Sequence, residues 1–119
     1  MKQAGQVVLF RFPQTNLTEA KPRPALLLGK IPGAYEDWLL CMISTQLHHY
    51  VPGFDEIARA GDADFASSGL KQESVIRVGR LAVVESNVLL GAIGQIAPNR
   101  LQRIKNHLAD WLAHSSEQR

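Results

Sequence analysis

Cysteine is almost absent from the sequence: the 119-residue chain contains one, Cys41. It cannot form an intramolecular disulfide. It also lies in the apolar run 38–43, where a free thiol behaves as a small hydrophobic side chain. The sequence therefore excludes a small secreted protein held together by disulfides, and it favours a reducing compartment.

Long apolar runs are absent as well. No segment approaches the roughly 20 apolar residues that a membrane-spanning helix needs. Near the N-terminus, residues 7–10 form an apolar stretch only about half as long as the hydrophobic region of a signal peptide. We therefore predict a cytoplasmic protein that has no membrane partner.

Neither sign of charge dominates, since 13 lysines and arginines against 11 aspartates and glutamates give a formal net charge of +2. This mild basicity is compatible with a surface for nucleic acid, but it excludes a histone-like or tail-driven binder. Hydrophobic residues make up 45% of the chain and charged residues 20%, which is an ordinary globular composition. The length predicts a single domain, residues 1–119.

What the chain does contain is a series of short apolar segments separated by turn residues, a pattern typical of β-strands. Segments 25–28 and 38–43 lack polar alternation, so we expect both faces of these strands to be covered, as in a small barrel. Residues 45–73 show no regular pattern apart from one helical turn expected within 54–60. The predicted strands are 7–12, 25–28, 38–43, 74–78, 81–84 and one within 88–96.

The C-terminal segment carries the clearest helical pattern. Its apolar residues recur at the spacing of one helix face, and Pro98 suits the first turn. These residues are Leu101, Ile104, Leu108, Trp111 and Leu112. Strands followed by one strong helix favour the α+β fold class.

Histidine and cysteine offer no convincing metal site. His48 and His49 are neighbours, and adjacent residues of a strand point to opposite faces, so the pair cannot chelate one ion side by side. Cys41, His107 and His114 lack the spacing of a structural zinc site. We predict no metal and no cofactor, and we interpret the two neighbouring histidines as surface or loop residues.

Arg23 stands in an unusual setting between Pro22 and Pro24. The two prolines stiffen the chain and hold the residue between them in an extended conformation at the entrance of a buried strand. The guanidinium is thus presented at low entropic cost, in a form that can grip a phosphate with two hydrogen bonds. The alternative is an arginine that only caps the edge of a barrel.

The segment around Arg23 is one of several that occur in the order of a known family. The segments are Gly5-Gln6-Val7-Val8-Leu9, Phe12-Pro13-Gln14-Thr15-Asn16-Leu17-Thr18, Lys21-Pro22-Arg23-Pro24-Ala25-Leu26, Cys41-Met42-Ile43-Ser44-Thr45-Gln46, Asp64-Phe65, Gly69-Leu70, Ser74-Val75-Ile76-Arg77 and the C-terminal helix. On these segments the chain resembles the PemK/MazF toxins of bacterial type II toxin–antitoxin systems. The resemblance implies a partly open, mainly antiparallel SH3-like barrel with a C-terminal helix, working as a homodimer. It also implies a metal-independent endoribonuclease that cuts single-stranded RNA and is bound by a cognate acidic antitoxin.

The resemblance assigns catalysis to Arg23 and to a hydroxyl residue after the third strand. The hydroxyl falls on Ser44, where the family usually has threonine. Thr45 is displaced by one position, which reverses the face of a strand residue, so both remain candidates. The predicted RNA-binding residues are Glu19, Lys21, Gln46, Arg77 and Arg80. Glu19 lies four residues before Arg23, whereas some family members have a glutamate one position earlier.

In such a reaction the 2′-hydroxyl of the RNA attacks the adjacent phosphate. Arginine side chains stay protonated at neutral pH, so Arg23 is assigned charge stabilisation, and the general base stays unassigned. Two other functions remain open: a non-catalytic small-barrel module that binds nucleic acid or peptide, and a toxin of the same fold that acts on DNA gyrase. Serine in place of threonine at position 44 favours the first, and the intact Arg23-Pro24 pair argues against the second.

Overall fold

The computed structural model describes residues 2–11 and 21–115. Within these ranges the strands are β1 (Gln6–Phe10), β2 (Arg23–Lys30), β3 (Asp37–Ser44), β4 (Glu56–Ala58), β5 (Ser74–Glu85) and β6 (Gly91–Gln95). The helices are α1 (Phe65–Ser68) and α2 (Pro98–His114), with short 3-10 helices at Leu47–His49 and Ser86–Val88.

All of these strands form one sheet in the order β4-β5-β3-β2-β1-β6, and each neighbouring pair is antiparallel. The sheet curls into a half-barrel, and it stays open because its edge strands β4 and β6 do not pair with each other. The predicted α+β class is confirmed, as is the partly open, mainly antiparallel barrel with its C-terminal helix.

A bulge in β5 bends the sheet. On β3, Cys41 pairs with Leu81 and the next residue, Met42, pairs with Arg77. The three residues between these positions on β5, which include Gly79, therefore have no pairing partner on β3. Such insertions bend a strand and increase its twist. The two strands predicted on either side of Gly79 are therefore one strand, and the glycine marks a bulge rather than a break.

The helical turn expected within residues 54–60 is wrong, because Glu56–Ala58 forms strand β4. This strand pairs with residues 74–76 of β5. A strand edge leaves backbone N–H and C=O groups in need of partners, and β4 supplies them on the side of β5 that β3 does not occupy. The helix of this region is α1, a single turn at Phe65–Ser68 that is too short to leave a periodic signal in the sequence.

The sheet carries an apolar cluster on each face. The helix face, on which α2 packs, contains Val7, Leu26, Leu28, Cys41, Ile43, Ile76, Val78, Ile104 and Leu108. The opposite face, called the far face below, contains Val8, Phe10, Ala25, Leu27, Trp38, Leu40 and Leu89. Every residue of segment 25–28 is buried, as expected for a strand covered on both sides. Burial also raises the pKa of the Cys41 thiol, which keeps it in the unreactive protonated form.

Helix α2 begins at Pro98 and packs on the sheet with its first turns. Ile104 and Leu108 are buried, whereas Trp111 and Leu112, at the end of the predicted apolar stripe, are more than half exposed. The stripe therefore contributes to the core only over its first part. In the described part of the chain, no helix is long and apolar enough to cross a membrane.

Arg100, in the first turn of α2, is a buried cation that joins three parts of the fold. Its guanidinium donates hydrogen bonds to both oxygens of Asp64, to Asp62, to Glu56 and to the backbone carbonyl of Ile57. The side chains of Arg100 and Asp64 are only 8% and 9% exposed. This network attaches the start of α2 to β4 and to the turn before α1.

Candidate active site

Arg23 is the first residue of β2 and pairs with Phe10 on β1. Side chains alternate along a strand, and Ala25 and Leu27 belong to the far face, so Arg23 lies on the far face at one end of the sheet. It is exposed, and no described residue accepts a hydrogen bond from its guanidinium. The extended conformation predicted from the flanking prolines is present, since Arg23 is part of the strand.

Ser44, the last residue of β3, lies opposite Arg23. Ala25 pairs with Met42, and the same antiparallel register continued by two residues brings Ser44 and Arg23 face to face. The Ser44 Oγ accepts a hydrogen bond of 3.0 Å from the backbone N–H of Gln46, which holds the turn after the strand. An oxygen that accepts this bond keeps its own hydroxyl hydrogen for donation.

Arg77 extends this arrangement onto a third strand. It pairs with Met42, while Val75 pairs with Ser44, so Arg77 and Ser44 are diagonal neighbours on one face. Diagonal neighbours lie about 7–8 Å apart, a distance that a long side chain can bridge. Arg23, Ser44 and Arg77 therefore form a row across β2, β3 and β5, which we call the Arg-Ser-Arg row.

Thr45, the second candidate hydroxyl, lies apart from this row. It follows the end of β3 and lines a cavity of ≈ 470 Å³ together with Pro24 and Leu70. Leu70 belongs to the helix face of the sheet, so this cavity is on the side opposite to Arg23. Of the two hydroxyl residues, Ser44 is the one that shares a face with Arg23.

Of the other predicted RNA-binding residues, Lys21 and Gln46 lie beside the strand ends that carry the row. Lys21 is exposed two residues before β2, and Gln46 is exposed two residues after β3. Both therefore lie at the same end of the sheet as the row. Glu19 falls outside the described residues.

A second cavity, of ≈ 210 Å³, adjoins the row and is lined in part by His49, Arg77 and Arg80. Partial desolvation of the imidazole, followed by the positive charges of Arg77, His48 and Arg80, holds the pKa of His49 below its ordinary value. The sequence indicated only a loop histidine at this position. The two arginines that share this cavity are about 30 residues away along the chain, and no local pattern signals that they lie near His49.

The arginines of this end of the sheet differ from those of α2 in their partners. Arg100 and Arg103 form ion pairs with carboxylates, whereas no described carboxylate pairs with Arg23, Arg77 or Arg80. Grouped cations without internal partners create a positive potential that attracts anions from solution.

Across residues 2–11 and 21–115, no three His, Cys, Asp or Glu side chains are grouped so that they could hold a metal ion.

This fold and this row can be compared with known proteins. A family model described as "PemK-like, MazF-like toxin of type II toxin-antitoxin system" matches residues 3–112. The chain belongs to this family. The match spans the entire sheet and nearly all of α2, so the resemblance inferred from the short sequence segments is confirmed, and the protein is the toxin component of a toxin–antitoxin system.

A solved structure of the same fold is the Mycobacterium tuberculosis toxin MazF-mt6. The superposition has a TM-score of 0.66 and covers 91% of this chain and 96% of that chain, with 15% sequence identity. At this identity the comparison establishes the PemK/MazF fold alone. The comparison with curated protein sequences gave no match.

Proposed function

We propose that this PemK/MazF toxin is a metal-independent, sequence-selective endoribonuclease that cleaves single-stranded RNA, including mRNA, in the cytoplasm. We further propose that it works as a homodimer and that a cognate acidic antitoxin neutralises it. The observation that carries the proposal is the Arg-Ser-Arg row, in which two guanidiniums that pair with no described carboxylate flank a hydroxyl on one face of three adjacent strands. Guanidiniums bind phosphate oxygens through charge-assisted hydrogen bonds, so a phosphodiester is the anion that this row suits.

RNA supplies its own nucleophile for such a reaction. When the 2′-hydroxyl loses its proton, its oxygen bonds to the adjacent phosphorus and the bond from phosphorus to the 5′-oxygen breaks. The leaving oxygen takes up a proton, so the products carry a 2′,3′-cyclic phosphate and a 5′-hydroxyl. DNA lacks the 2′-hydroxyl and is not a substrate by this route.

The row meets the electrostatic demand of this step. Negative charge accumulates on the non-bridging oxygens of the transition state, and preorganised donors aimed at that charge contribute most to such catalysis. Arg23 and the Ser44 hydroxyl donate to these oxygens, and Arg77 holds the phosphate from the third strand. Lys21 and Arg80, at the margins of the row, contact neighbouring phosphates.

The direct test is incubation of the purified protein with a long single-stranded RNA in excess EDTA. We expect cleavage at a limited set of sequences, with 5′-hydroxyl ends. As a matched control, an oligonucleotide with a single 2′-deoxynucleotide immediately 5′ of the scissile phosphate should stay intact. RNA binding by the folded protein without any product would contradict the proposal and favour the non-catalytic module. Inhibition of DNA supercoiling with all RNA left intact would favour the gyrase-directed toxin.

The position of the hydroxyl predicts a difference between two neighbouring alanine substitutions. Ser44→Ala removes a donor to a charged oxygen, and such hydrogen bonds contribute about 1.5–3 kcal/mol. We therefore expect kcat/KM for RNA cleavage to decrease by about 10- to 100-fold. Thr45→Ala should leave the rate near that of the parent, and Ser44→Thr should retain activity. A larger loss from Thr45→Ala than from Ser44→Ala would show that the catalytic hydroxyl is on the helix face.

A further inference from the structure

The second half of β5 is a sheet edge that no described strand covers. β4 pairs with β5 only at residues 74–76, whereas β3 continues beside β5 up to its last residue. On the side away from β3, residues 81–85 therefore have no neighbouring strand in the described part of the chain. A strand edge presents a row of unpaired backbone groups to which another chain can add. We call residues 81–85 the free edge of β5.

The hydrogen bonds at the end of β5 show which backbone groups this edge presents. Ser86 donates its backbone N–H to the carbonyl of Glu36, on the side of β3. Backbone groups alternate in direction along an antiparallel strand, and the register between β3 and β5 is regular over residues 81–85. Leu81, Val83 and Glu85 therefore direct their N–H and C=O groups away from β3, into the open side of the sheet.

The free edge lacks the side chains that usually protect such an edge. Natural sheet edges carry lysine, proline or inward-pointing charges that prevent the addition of a further strand. The free edge of β5 reads Leu-Ala-Val-Val-Glu, and its first four residues are apolar. Leu81 and Val83 pair with the helix-face residues Cys41 and Leu39, and both are exposed. This part of β5 is thus suited to pairing with another strand.

The apolar surface of the free edge continues onto the end of α2. Val83 pairs with Leu39 on β3, and Leu39 lies with Leu112 in a groove between the sheet and α2. Leu112 is exposed, as is Trp111, whose ring packs against Phe54. Monomeric proteins rarely expose contiguous apolar surface, and a patch of this kind marks an interaction site. A strand added at the free edge would lie beside these side chains and cover them.

The charges at the two ends of the free edge indicate its occupant. Arg80 immediately precedes the edge and Glu85 ends it, so antiparallel pairing of two copies places the basic end of each edge beside the acidic end of the other. An acidic strand from an antitoxin would instead lie next to Glu85 and Asp37, which already oppose each other on β5 and β3. Like charges on neighbouring strands destabilise a sheet. The free edge is complementary to itself, as a two-fold symmetric interface requires.

We propose that the free edges of β5 from two copies of this chain pair antiparallel, which joins the two sheets into one across a two-fold axis. The inference deepens the homodimer of the proposed function by naming its interface. With Ala82 on the axis, Leu81 of each copy lies opposite Val83 of the other, and the two residues exchange backbone hydrogen bonds. An axis at Val83 would instead place Leu81 opposite Glu85. Both α2 helices then pack on the same face of the joined sheet.

The first test measures the Kd of the dimer by sedimentation equilibrium. The parent should be dimeric, and Val83→Lys should raise this Kd by about 100-fold or more, because the symmetry places two lysines at the centre of the interface, where hot spots cluster. Val51→Lys is the matched control: Val51 is 51% exposed against 56% for Val83, but it lies before β4, away from the free edge. It should keep the parental Kd. Urea unfolding curves establish that both variants fold.

The second test is a disulfide across the axis, which does not depend on a weakened dimer. Ala82 would face its own copy in a pair without backbone hydrogen bonds, whose Cα atoms lie about 4.5 Å apart, a separation that a disulfide spans. Mild oxidation of Ala82→Cys should therefore give a covalent dimer on a non-reducing denaturing gel. Ala92→Cys, on the opposite sheet edge β6, is the matched control and should stay monomeric on this gel. Cys41 is buried in both variants.

The outcomes that contradict the interface are distinct from those that contradict the proposed function. If the parent is dimeric, Val83→Lys keeps its Kd and Ala82→Cys forms no covalent dimer, the interface is wrong and the homodimer stands. A covalent dimer through Ala92→Cys alone would assign the interface to β6. A monomeric parent would overturn both the interface and the homodimer, and would leave the free edge to a strand from another protein such as the antitoxin. RNA cleavage in EDTA is measured separately, so the ribonuclease activity is decided independently of all these outcomes.

Discussion

Arg23→Ala is expected to decrease kcat/KM for RNA cleavage by about 100- to 1,000-fold or more, the usual effect of removing a donor to a developing oxyanion. Arg23 lies opposite Ser44 at the end of the sheet, and no described residue bonds to its guanidinium. Its side chain is exposed, so its removal should change the free energy of unfolding by no more than about 0.5 kcal/mol. The measurement is the cleavage rate of a mapped oligonucleotide, beside the urea unfolding curve of the same preparation.

Arg59→Ala is the matched control for this prediction. Arg59 is also an exposed arginine, but it lies after β4 and is not part of the Arg-Ser-Arg row. It should retain the parental rate, although both substitutions remove one positive charge. Arg23→Lys keeps the charge but loses the planar fork that binds two phosphate oxygens, so its rate should be intermediate. Cleavage by folded Arg23→Ala at the parental rate would exclude the row as the active site.

Much of the fold could be predicted because its signals are local. Segments 25–28 and 38–43 are continuous apolar runs, and the apolar spacing of α2 matches one helix face, so each element is recognisable within a short window. β4 was missed because its three residues carry no alternation of their own and are held by the free edge of β5. The sequence predicts a break at Gly79, because a glycine in a bulge and a glycine in a loop look alike in sequence.

For the candidate site too, some residues could be predicted from the neighbouring sequence, whereas others required the three-dimensional structure. Arg23 could be predicted from the prolines beside it, and Ser44 from its position at the end of an apolar strand within a family segment. The choice between Ser44 and Thr45 depends on which sheet face each occupies, which requires the strand register. The shared cavity of His49 and Arg77 depends on the packing of a 3-10 helix against β5, and no spacing within the sequence encodes it.

Arg100→Met should destabilise the protein by about 3–5 kcal/mol, the usual result of removing one partner of a buried ion pair. Methionine fills a similar volume, so the main effect is electrostatic. The carboxylate of Asp64, 9% exposed, loses the guanidinium that bonds to both of its oxygens. Glu56 and Asp62 lose the same partner. Urea unfolding monitored by circular dichroism measures the change in the free energy of unfolding.

Arg103→Met is the matched control, since Arg103 lies one turn further along α2 and, among the described carboxylates, pairs only with Glu56. Its side chain is 49% exposed, and exposed ion pairs contribute about 0–1 kcal/mol. A similar destabilisation by both substitutions would mean that Arg100 acts through helix packing rather than through buried charge. The effect on cleavage at 25 °C should be small for both variants as long as the protein remains folded.

The pH dependence of stability provides an independent check on the Arg100 network. The hydrogen bonds from Arg100 to Asp64, and those from the Arg59 backbone and Arg100 to Asp62, hold the pKa values of both carboxyls below their ordinary range. A carboxyl with a lowered pKa in the folded state stabilises it above the unfolded pKa of about 3.9, and this contribution is lost as the pH falls below that value. The parent should therefore lose stability steeply below about pH 4, because the folded carboxyls must then be protonated.

Without Arg100 both pKa values rise, so the free-energy difference between parent and Arg100→Met should be largest near pH 7 and should shrink in acid. A difference that stays constant down to pH 3 would show that the guanidinium contributes through packing and not through its pairing with Asp62 and Asp64.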